Sequence, residues 1–405
     1  MTQTPQDQSD RPVIRLKPKA NARAIRHGSP WVFDNELVTD RRTKKIAAGG
    51  IATLEDAGRE VLGTVAVSPG SRIFARILDR DPTAQIDVDW FKTKLQAALD
   101  HRARLFDAPF YRLIHAEADG LPGVIIDRFG DTAVIQPNAA WAEAHLDLLT
   151  EALMQVTGVT TVLKNAAGRA RQLEGLDAEN AVLRGAAPDA PVHVPMNGAT
   201  YLADLTGGQK TGLFYDQRPN HAFAAGLSKG ARVLDVFSHV GGFSLAALAS
   251  GASSALAVDG SAAALALAEG GADAMGASDR FSTRKGDAFD VLTALNEEGA
   301  QFDVVICDPP AFAPSKRALE PGLRAYERVA RLAATLVAPG GYLGLCSCSH
   351  AATIDKFRSA SIRGIGRAER SSQLIHTGFA GADHPMHPQL AESGYLKSLF
   401  FRILP

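Results

Sequence analysis

Cysteine is scarce in this sequence: three of the 405 residues are cysteines, and all lie in the last quarter of the chain, at Cys307, Cys346 and Cys348. An odd number confined to one region is not the disulfide framework of a small secreted domain. No second cysteine or histidine pair at zinc-ligand spacing accompanies them, so we expect no metal site. The cysteine pattern therefore indicates a reducing, cytoplasmic compartment.

Long apolar runs and an apolar leader are also missing. No stretch approaches the roughly 20 apolar residues that a helix needs to cross a membrane. The first ten residues, MTQTPQDQSD, are polar, which is not the pattern of a secretory signal. Hydrophobic residues make up 46% of the sequence and charged residues 21%, as is typical of a globular protein. We therefore expect a cytoplasmic protein with no membrane partner.

The chain is too long for one ordinary core, and its patterning predicts three domains. Residues 11–85 contain short alternating segments punctuated by glycine and proline, notably 61–68 and 72–78, which predict a small β-barrel. Residues 86–195 have apolar residues at helical spacing over 89–106 and then alternate between strands and a helix. This second range is predicted to be a central α+β domain.

Positive charge is concentrated in the first domain, although the net charge of the chain is only −1. Residues 11–45 contain ten lysines and arginines against three acidic residues. Such a segment is either a surface for a polyanion or an ordinary solvated face, and charge alone does not separate these interpretations. Arg23 and Arg26 are its candidates for RNA contacts. Trp31 and Phe33 are predicted to fill the barrel core rather than to stack on bases.

The C-terminal range, 196–405, follows a proline-rich junction at 188–195 and has a regular α/β rhythm. Its five apolar runs are separated by helical segments rich in alanine and leucine: ARVLDVF, SALAVDG, RFSTRKGDA, FDVVICDPP and GYLGLCSCS. Strand and helix in steady succession predict a parallel sheet covered by helices on both faces, a Rossmann-like α/β fold. The last apolar run, 396–404, is expected to add an edge strand.

Ligands of an open α/β sheet bind outside the carboxyl ends of its strands, so the residues that follow each predicted strand are candidates. After the first strand, Gly241 and Gly242 allow the backbone to approach a ligand at a helix N-terminus. The second strand ends in Asp259, placed to accept both hydroxyls of a ribose, and the third in Asp287, within reach of an adenine amino group. Alternatively, the two glycines form an ordinary turn between strand and helix.

Two absent motifs narrow the choice of adenosine ligand. SHVGGFS lacks the G-x-G-x-x-G fingerprint of dinucleotide-binding proteins, and no G-x-x-x-x-G-K-[ST] phosphate loop occurs. A glycine-bearing loop without phosphate-binding machinery suits S-adenosylmethionine, whose amino-acid part needs hydrogen bonds rather than an anion cradle. The neighbouring positions complete the predicted cofactor site: Asp235, Phe237, Ser238, Gly260 and Ala288.

The fourth strand ends in CDPPAF, which predicts a rigid loop at the site. Its two prolines set the backbone and remove two amide donors, so that Asp308 is aimed at the mouth of the site. Pro309 is part of this turn and a candidate substrate contact. Phe312 is placed either to stack on a base held out of its helix or to fill the core.

The fifth strand ends in Cys348, within LCSCSH. Cys307 and Cys346 are expected to be small buried residues, whereas Cys348 is either a third such residue or a nucleophile. C5 of cytosine is a poor nucleophile by itself. Addition of a thiolate to C6 would push electron density onto C5 and allow it to attack a sulfonium methyl group.

Across nearly its whole length the sequence resembles the bacterial large-subunit ribosomal RNA 5-cytosine methyltransferases, built from a PUA domain, a small central domain and a Rossmann-like methyltransferase domain. The resemblance rests on six stretches: HGSPWVFDNEL (27–37), YRLIHAEADGLPGVIIDRFGD (111–131), GQKTGLFYDQR (208–218), FSHVGGFS (237–244), DPPAF (308–312) and SCS (347–349). The run K-T-G-x-x-x-D-Q-R is the most specific feature of the six, and the glycine loop is the least specific.

The resemblance implies an S-adenosylmethionine-dependent enzyme that forms 5-methylcytosine in large-subunit ribosomal RNA through a cysteine–cytosine adduct. It also implies that the N-terminal barrel is a PUA RNA-binding module and that the protein is a homodimer. Asp259 and Asp287 would hold the adenosine of the cofactor. Lys210 is a candidate substrate contact, and Gln217 and Arg218 would lie near the cofactor or the substrate.

For the chemistry, the resemblance makes Cys348 the nucleophile and Asp308 the partner of the N3/N4 edge of cytosine. Two positions depart from the family pattern: Ala311 stands where relatives have lysine, and His350 follows SCS. These departures leave the target nucleotide open. Two other functions stay open: an amino-group methyltransferase acting on a ribosomal RNA base, and a non-catalytic RNA-binding or assembly factor that retains the fold. A nicotinamide-dependent dehydrogenase would give no role to DPPAF or Cys348.

Overall fold

The computed structural model describes residues 11–207 and 212–405. The chain forms two compact units: residues up to Ala187 together with Pro385–Ala391, and Pro188–His384 together with Glu392–Pro405. The proline-rich junction therefore opens the second unit. Lys210, a predicted substrate contact, lies outside the described residues.

The first unit begins with a five-stranded sheet and one short helix. Its elements are β1 (Val13–Arg15), α1 (Ala22–Arg26), β2 (Trp31–Phe33), β3 (Ile51–Glu55), β4 (Val61–Val67) and β5 (Ile73–Asp79). The strand order is β1-β3-β4-β5-β2, with β1 parallel to β3 and the other pairs antiparallel. Ala52 and Leu54, two apart on β3, are both fully buried, as alternation along a strand requires. β4 and β5 confirm two predicted strands.

One prediction for this sheet is wrong. Trp31 and Phe33 do not fill its core, because Phe33 is 37% exposed and Trp31 is partly exposed. Successive residues of a strand point to opposite faces, and here Val32 takes the inward position and is fully buried. The indole Nε1 of Trp31 donates a hydrogen bond to Glu117 Oε1 at 2.9 Å, which gives the ring a polar partner.

A second five-stranded sheet with four helices completes the first unit. Its elements are α2 (Val88–Ala103), β6 (Phe110–His115), β7 (Val124–Phe129), β8 (Thr132–Pro137), α3 (Ala140–Ala144), α4 (Leu146–Thr157), β9 (Thr161–Lys164), α5 (Arg169–Leu173) and β10 (Ala181–Arg184). The strand order is β10-β9-β8-β7-β6. α2 confirms the helix predicted over 89–106, and Leu95 and Ala98 lie on its buried face. Gly158, with a φ of 73°, ends α4 in the left-handed conformation of a helix cap.

The second unit is built around a seven-stranded sheet, preceded by a hairpin and a helix: β11 (Val192–Met196), β12 (Ala199–Ala203) and α6 (Arg218–Gly226). Strands and helices then alternate: β13 (Arg232–Val236), α7 (Gly242–Ala249), β14 (Ser254–Asp259), α8 (Ala262–Ala274), β15 (Phe281–Lys285), α9 (Ala288–Glu297), β16 (Phe302–Cys307), α10 (Leu319–Leu336), β17 (Val337–Ser347), α11 (Ile354–Arg367), β18 (Ser372–Gly378) and β19 (Lys397–Ile403). The five predicted apolar runs form β13 to β17 and pair in parallel, which confirms the Rossmann-like fold.

The position of the C-terminal strand corrects the prediction of an edge strand. The sheet order is β15-β14-β13-β16-β17-β19-β18, so β19 lies inside the sheet, antiparallel to both of its neighbours, and β18 forms the edge. Phe400 and Phe401 point to opposite faces of β19, and both are buried. A strand with apolar side chains on both faces is stable only where both faces are covered, which explains its internal position.

Candidate active site

The order of the parallel strands reverses between β13 and β16, which are neighbours in the sheet although they are distant in the chain. Val236 pairs with Cys307, so the two strands end side by side. The Asp308 amide donates to the Val236 carbonyl at 3.1 Å and joins the DPPAF loop to the end of β13. In an open α/β sheet, this reversal point is where a crevice for a ligand is expected.

The loop after β13 has a strained backbone. Phe237, His239 and Gly241 have positive φ angles of 63°, 50° and 81°. Residues other than glycine rarely adopt this left-handed region, and such strain is concentrated at functional sites. A Cβ atom at Gly241 would lie 3.0 Å from Leu245 Cγ, so both conformation and space call for glycine. The loop therefore has a shape that an ordinary strand-to-helix turn does not require.

Two buried titratable groups flank this loop. Asp235 Oδ2 accepts a hydrogen bond from the Ser244 amide at 2.9 Å and holds the first turn of α7. Burial raises the pKa of Asp235 to about 6. The ring of His221 packs against the loop, since a Cβ at Gly242 would lie 2.7 Å from its Nε2. Burial lowers the pKa of His221 to about 3, so the ring is neutral. Ser238 Oγ is buried without a hydrogen-bond partner among the described residues.

Asp259 and Asp287 follow the neighbouring parallel strands β14 and β15. The Asp259 carboxylate accepts from the His239 amide at 2.9 Å and from the Ser261 amide at 2.8 Å. The first of these hydrogen bonds joins the end of β14 to the strained loop. Asp287 is exposed and caps α9, with Oδ1 accepting from the Phe289 amide at 2.9 Å. Both carboxylates therefore lie at the carboxyl edge of the sheet.

A chain of buried amides fixes the Asp308 carboxylate. Gln217 Nε2 donates to Asp308 Oδ2 at 2.9 Å, and Asn220 Nδ2 donates to Gln217 Oε1 at 2.7 Å. Gln217 and Asn220 are both buried, so few other orientations are open to them. The resemblance implied a position for Gln217 near the cofactor or the substrate, and its contact places it at Asp308.

Sequence reasoning missed the residues that follow β18. The Gly381 amide donates to the Asp216 carbonyl at 2.9 Å, and Tyr395 Oη donates to Asp216 Oδ2 at 2.6 Å. Burial lowers the pKa of Arg218, whereas the negative charge of the fully buried Asp383 raises it. The glycine, proline and histidine content of this stretch indicates a loop, but it does not reveal which residues the loop contacts.

Cys348 follows β17 and is partly exposed, whereas Ser347 and Ser349 on either side of it are fully buried. Ser347 Oγ donates to Tyr326 Oη at 2.9 Å, and Tyr326 Oη lies 2.7 Å from Ser349 Oγ. Ser349 Oγ also accepts from the Ala313 amide at 2.9 Å. A tyrosine on α10 thus holds both serines of the SCS motif, and Ser349 joins them to the residue after DPPAF.

Lys397 opens β19, is 5% exposed and pairs in register with Ser347. Its Nζ donates to the Ser349 carbonyl at 2.7 Å and to the Ala352 carbonyl at 2.9 Å. Within the described ranges, it forms no ion pair with a carboxylate.

Burial lowers the pKa of Lys397 to about 8, and the electrostatic influence of Cys348 opposes this. A cation beside a thiol favours the thiolate form. Sequence reasoning did not identify this lysine, because it stands alone in an apolar strand.

The other two cysteines are fully buried. Burial raises the pKa of the Cys307 thiol and of the Cys346 thiol, and the negative charge of Asp308 acts in the same direction on both. A buried thiol that stays neutral is unreactive. Among the described residues, Cys348 is therefore the one cysteine that is partly exposed.

Phe312 lies among aromatic rings. Its ring centroid is 6.2 Å from that of Phe237, 6.1 Å from that of Phe289 and 5.0 Å from that of Tyr326. Pro309 is buried, whereas Phe312 is only partly buried. The DPPAF loop is thus anchored to α9 and α10 through a ring that keeps some exposed surface, and both base stacking and core packing are compatible with its position.

The hydrogen bonds form one series along the carboxyl edge of the sheet. Asp259 bonds the loop after β13, the end of β13 bonds Asp308, and the residue after DPPAF bonds Ser349, next to Cys348. Asp259, Asp308 and Cys348 therefore lie along one edge of the sheet, although 89 positions separate Asp259 from Cys348 in the sequence.

Other predicted residues lie apart from this series or at its margin. Arg23 and Arg26 are on α1 in the first unit, where Arg26 forms an ion pair with Asp56. Gly260 is exposed after β14, and Ala288 is buried at the start of α9. Among the residues that the structure describes, no group of histidine, cysteine, aspartate and glutamate could hold a metal ion. In the same ranges, no helix is long and apolar enough to cross a membrane.

Two family models match the chain: S-adenosylmethionine-dependent methyltransferase at residues 144–402, and PUA-like domain at residues 14–80. The chain is 35% identical over 394 residues to the ribosomal RNA large subunit methyltransferase I of Shewanella denitrificans, with 96% of this chain and 99% of that protein covered. It is 36% identical to the protein of the same name from Aliivibrio fischeri, with 95% and 98% covered.

Two solved structures share the fold. A SAM-dependent methyltransferase from Streptococcus mutans has a TM-score of 0.80 at 20% identity, over 96% of this chain and 100% of that chain. A methyltransferase solved in complex with SAH has a TM-score of 0.81 at 20% identity, with the same coverage. At this level of identity the two structures support the architecture alone.

Proposed function

This chain belongs to the S-adenosylmethionine-dependent methyltransferase family, and from this premise we propose that it methylates C5 of a cytosine in large-subunit ribosomal RNA. Its relatives at 35% and 36% identity are named ribosomal RNA large subunit methyltransferase I, which supports the choice of RNA. One observation carries the choice of atom: Cys348 is partly exposed at the carboxyl edge of the sheet, next to Ser349, whose carbonyl accepts a hydrogen bond from the buried Lys397.

The loop after β13 fits S-adenosylmethionine, which supplies an electrophilic methyl group when it is bound. Gly241 supplies the left-handed conformation that brings the loop to the start of α7, and the Ser238 hydroxyl is buried without a partner among the described residues. Asp259 accepts one backbone amide at each oxygen, which leaves lone pairs for the hydroxyls of a ribose. Asp287 would accept from the amino group of adenine.

Cys348 would act as the nucleophile on the base. Its thiolate forms a bond to C6 of cytosine, and the electron pair of the C5–C6 double bond moves onto C5, which becomes nucleophilic. Once C5 carries the methyl group, a base removes the C5 proton. The electron pair of that C–H bond re-forms the C5–C6 double bond, and the C6–S bond breaks to release the thiolate. The Lys397 ammonium would stabilise the thiolate before the addition and after the release.

Asp308 would hold the cytosine by its Watson–Crick edge. A carboxylate accepts from the N4 amino group of cytosine. Gln217 fixes the Asp308 carboxylate through Oδ2, so the acceptor is oriented before the base arrives. The Ala313 amide donates to Ser349 Oγ, so the DPPAF loop that carries Asp308 is joined to the residue after Cys348.

The first unit would contribute RNA binding. Its residues 14–80 match the PUA-like domain, and its basic segment carries Arg23 and Arg26. The ion pair of Arg26 with Asp56 is exposed, and such pairs are weak enough for a phosphate to compete. We propose a cytoplasmic homodimer of three-domain chains, with the ranges 11–85, 86–195 and 196–405.

The product nucleoside tests the function. Large-subunit ribosomal RNA from cells that lack the gene is incubated with the purified protein and S-adenosylmethionine, and the digested nucleosides are identified by mass spectrometry. We expect 5-methylcytosine. In Cys348→Ala the rate should fall at least about 1,000-fold, because C5 is no longer activated. Binding of S-adenosylhomocysteine, measured by calorimetry, should not change.

Cys307→Ala is the matched control, since this thiol is fully buried in the apolar core of the second unit, and it should keep the rate within about threefold. Methylation by Cys348→Ala at a rate near that of the wild type would contradict the C5 mechanism and favour an amino-group methyltransferase. Failure of the wild type to bind S-adenosylmethionine at millimolar concentration would favour a non-catalytic RNA-binding factor.

A further inference from the structure

Three exposed arginines share one face of α10: Arg324, Arg328 and Arg331. Their spacing, i, i+4 and i+7, places them one above the other on a helix. In the part of the chain that the structure describes, none of the three forms an ion pair with a carboxylate. The guanidinium of Arg328 lies over the ring of Phe289, with Cζ 4.6 Å from the ring centroid.

The same three side chains line an open cleft of about 470 Å³ together with Glu327 and Arg367. Glu327 is the one acidic residue of this lining, and it is buried and already paired. Arg363 Nε donates to its Oε2 at 3.0 Å, and Arg367 pairs with its Oε1. The lining of this arginine cleft therefore has a net charge of +3.

The charge of the cleft is uncompensated within the described protein. Like charges at these spacings oppose helix formation, so the arrangement is unfavourable unless something negative binds. Two arginines of the first unit differ: the fully buried Arg102 is held by both oxygens of Asp119, and the partly exposed Arg112 by both oxygens of Asp127. Planar guanidinium groups match the geometry of phosphate oxygens, which makes an RNA backbone a suitable occupant.

The cleft lies close to the candidate base site. Phe312, in the DPPAF loop, is 6.1 Å from Phe289 between ring centroids, and Phe289 contacts Arg328. α10 also carries Tyr326, which holds the serines on both sides of Cys348. A strand whose base enters the site at Phe312 would therefore pass the cleft within its next few nucleotides.

We propose that the arginine cleft binds phosphate groups of the RNA strand that carries the target cytosine. The inference rests on the proposed RNA substrate. It assigns the positioning of the strand to α10 of the methyltransferase fold, in addition to the basic N-terminal domain.

The test is a triple variant, Arg324→Gln with Arg328→Gln and Arg331→Gln. Glutamine keeps helix propensity and removes the repulsion, so the helix should remain folded. The probe is a fluorescein-labelled, mixed-sequence single-stranded RNA of 30 nucleotides, and its affinity is measured by anisotropy at several salt concentrations. The control triple, Arg232→Gln with Arg280→Gln and Arg284→Gln, removes the same charge from exposed or partly exposed arginines that pair with neighbouring carboxylates.

We expect the cleft variant to bind this RNA at least about tenfold more weakly, with a salt slope flatter by about 2, because about 0.7 of slope is lost per phosphate contact to single strands. The control triple should stay within about twofold of the wild type. In methylation of ribosomal RNA, the cleft variant should show a raised KM for RNA with kcat retained, and unchanged binding of S-adenosylhomocysteine.

If the cleft variant binds RNA with the affinity and salt slope of the wild type, the inference is overturned. An acidic protein would then be the occupant to test. An equal loss in both triples would overturn the inference as well, since net charge alone would then explain binding. If the wild type forms no 5-methylcytosine but the cleft variant still loses RNA affinity selectively, the proposed function fails and the cleft stands.

Discussion

The two halves of the candidate active site are held together in different ways. The cofactor half, residues 235–244 and 259–261, has hydrogen bonds within itself that set its backbone, such as the bond from the His239 amide to Asp259, and the ring of His221 packs against it. The base half, residues 308–313 and 347–349, depends on side chains from elsewhere in the second unit. These are Gln217, Tyr326 and Lys397.

This difference shows how each half obtains its geometry. A loop that approaches a ligand with its backbone needs particular φ angles, and glycine supplies them locally. A site that orients a nucleophile and a base needs buried hydrogen bonds in several directions, and these come from other elements. Changes in the cofactor half should therefore weaken cofactor binding. Changes in the base half should slow the reaction and leave cofactor affinity unchanged.

The largest effect among the supporting residues is expected for Lys397→Met. Loss of the buried cation should lower kcat about 100-fold with no change in S-adenosylhomocysteine affinity. Since the pKa of Lys397 is lowered to about 8, the ammonium is present at pH 7 and lost above pH 8. In Lys397→Met, alkylation of Cys348 by iodoacetamide should therefore be about tenfold slower than in the wild type at pH 7, where the wild type carries the ammonium. Near pH 10, where the wild-type amine is neutral, the two alkylation rates should be equal.

Tyr326, Asp308 and His350 are titratable groups of the same part of the second unit, and all three are retained in this variant. Lys397→Arg is the control, because it keeps the charge and should keep the alkylation rate at pH 7. Equal alkylation of the wild type and the methionine variant at pH 7, with equal melting temperatures, would show that Lys397 is only structural.

In the cofactor half, Gly241→Ala should raise the Kd for S-adenosylhomocysteine about tenfold. An alanine at a φ of 81° is strained by roughly 1–2 kcal/mol, and its Cβ would crowd Leu245, so the loop should relax to another shape. Gly230→Ala is the matched control, since its φ is 72° and its added Cβ meets no atom within 4 Å. Gly230→Ala should destabilise the fold by a similar amount without changing the Kd for S-adenosylhomocysteine. Calorimetry of cofactor binding therefore distinguishes the two variants.

The smallest effect is expected for Tyr326→Phe, which removes one hydroxyl and keeps the ring. The serines flanking Cys348 lose a shared partner, so kcat should fall about three- to tenfold while the Kd for S-adenosylhomocysteine is unchanged. Tyr342→Phe, on β17, is the control and should leave both unchanged. A weaker cofactor affinity in Tyr326→Phe would mean that the two halves of the site are coupled.

Much of the fold was predictable because apolar runs of strand length mark buried parallel strands directly. The position of β19 inside the sheet was not predictable in the same way, since pairing between distant strands depends on the whole sheet. Asp259, Asp308 and Cys348 were identified because each ends or directly follows such a run. Tyr326, Lys397 and Asp383 were not, because nothing in their local sequence distinguishes them from core or surface residues.

By itself, the sequence determined the parallel strands of the second unit, the glycine loop after β13 and the order in which reactive side chains follow the strands. These properties are local, since they depend on periodicity and on the conformational freedom of a few residues. Only the tertiary structure decided which distant groups meet. It places Tyr326 between two serines, and it buries the side chain of Lys397 near Cys348. It also leaves three arginines of α10 without a carboxylate partner among the described residues. Burial and electrostatic pairing depend on what else occupies the same space, which no stretch of sequence specifies alone.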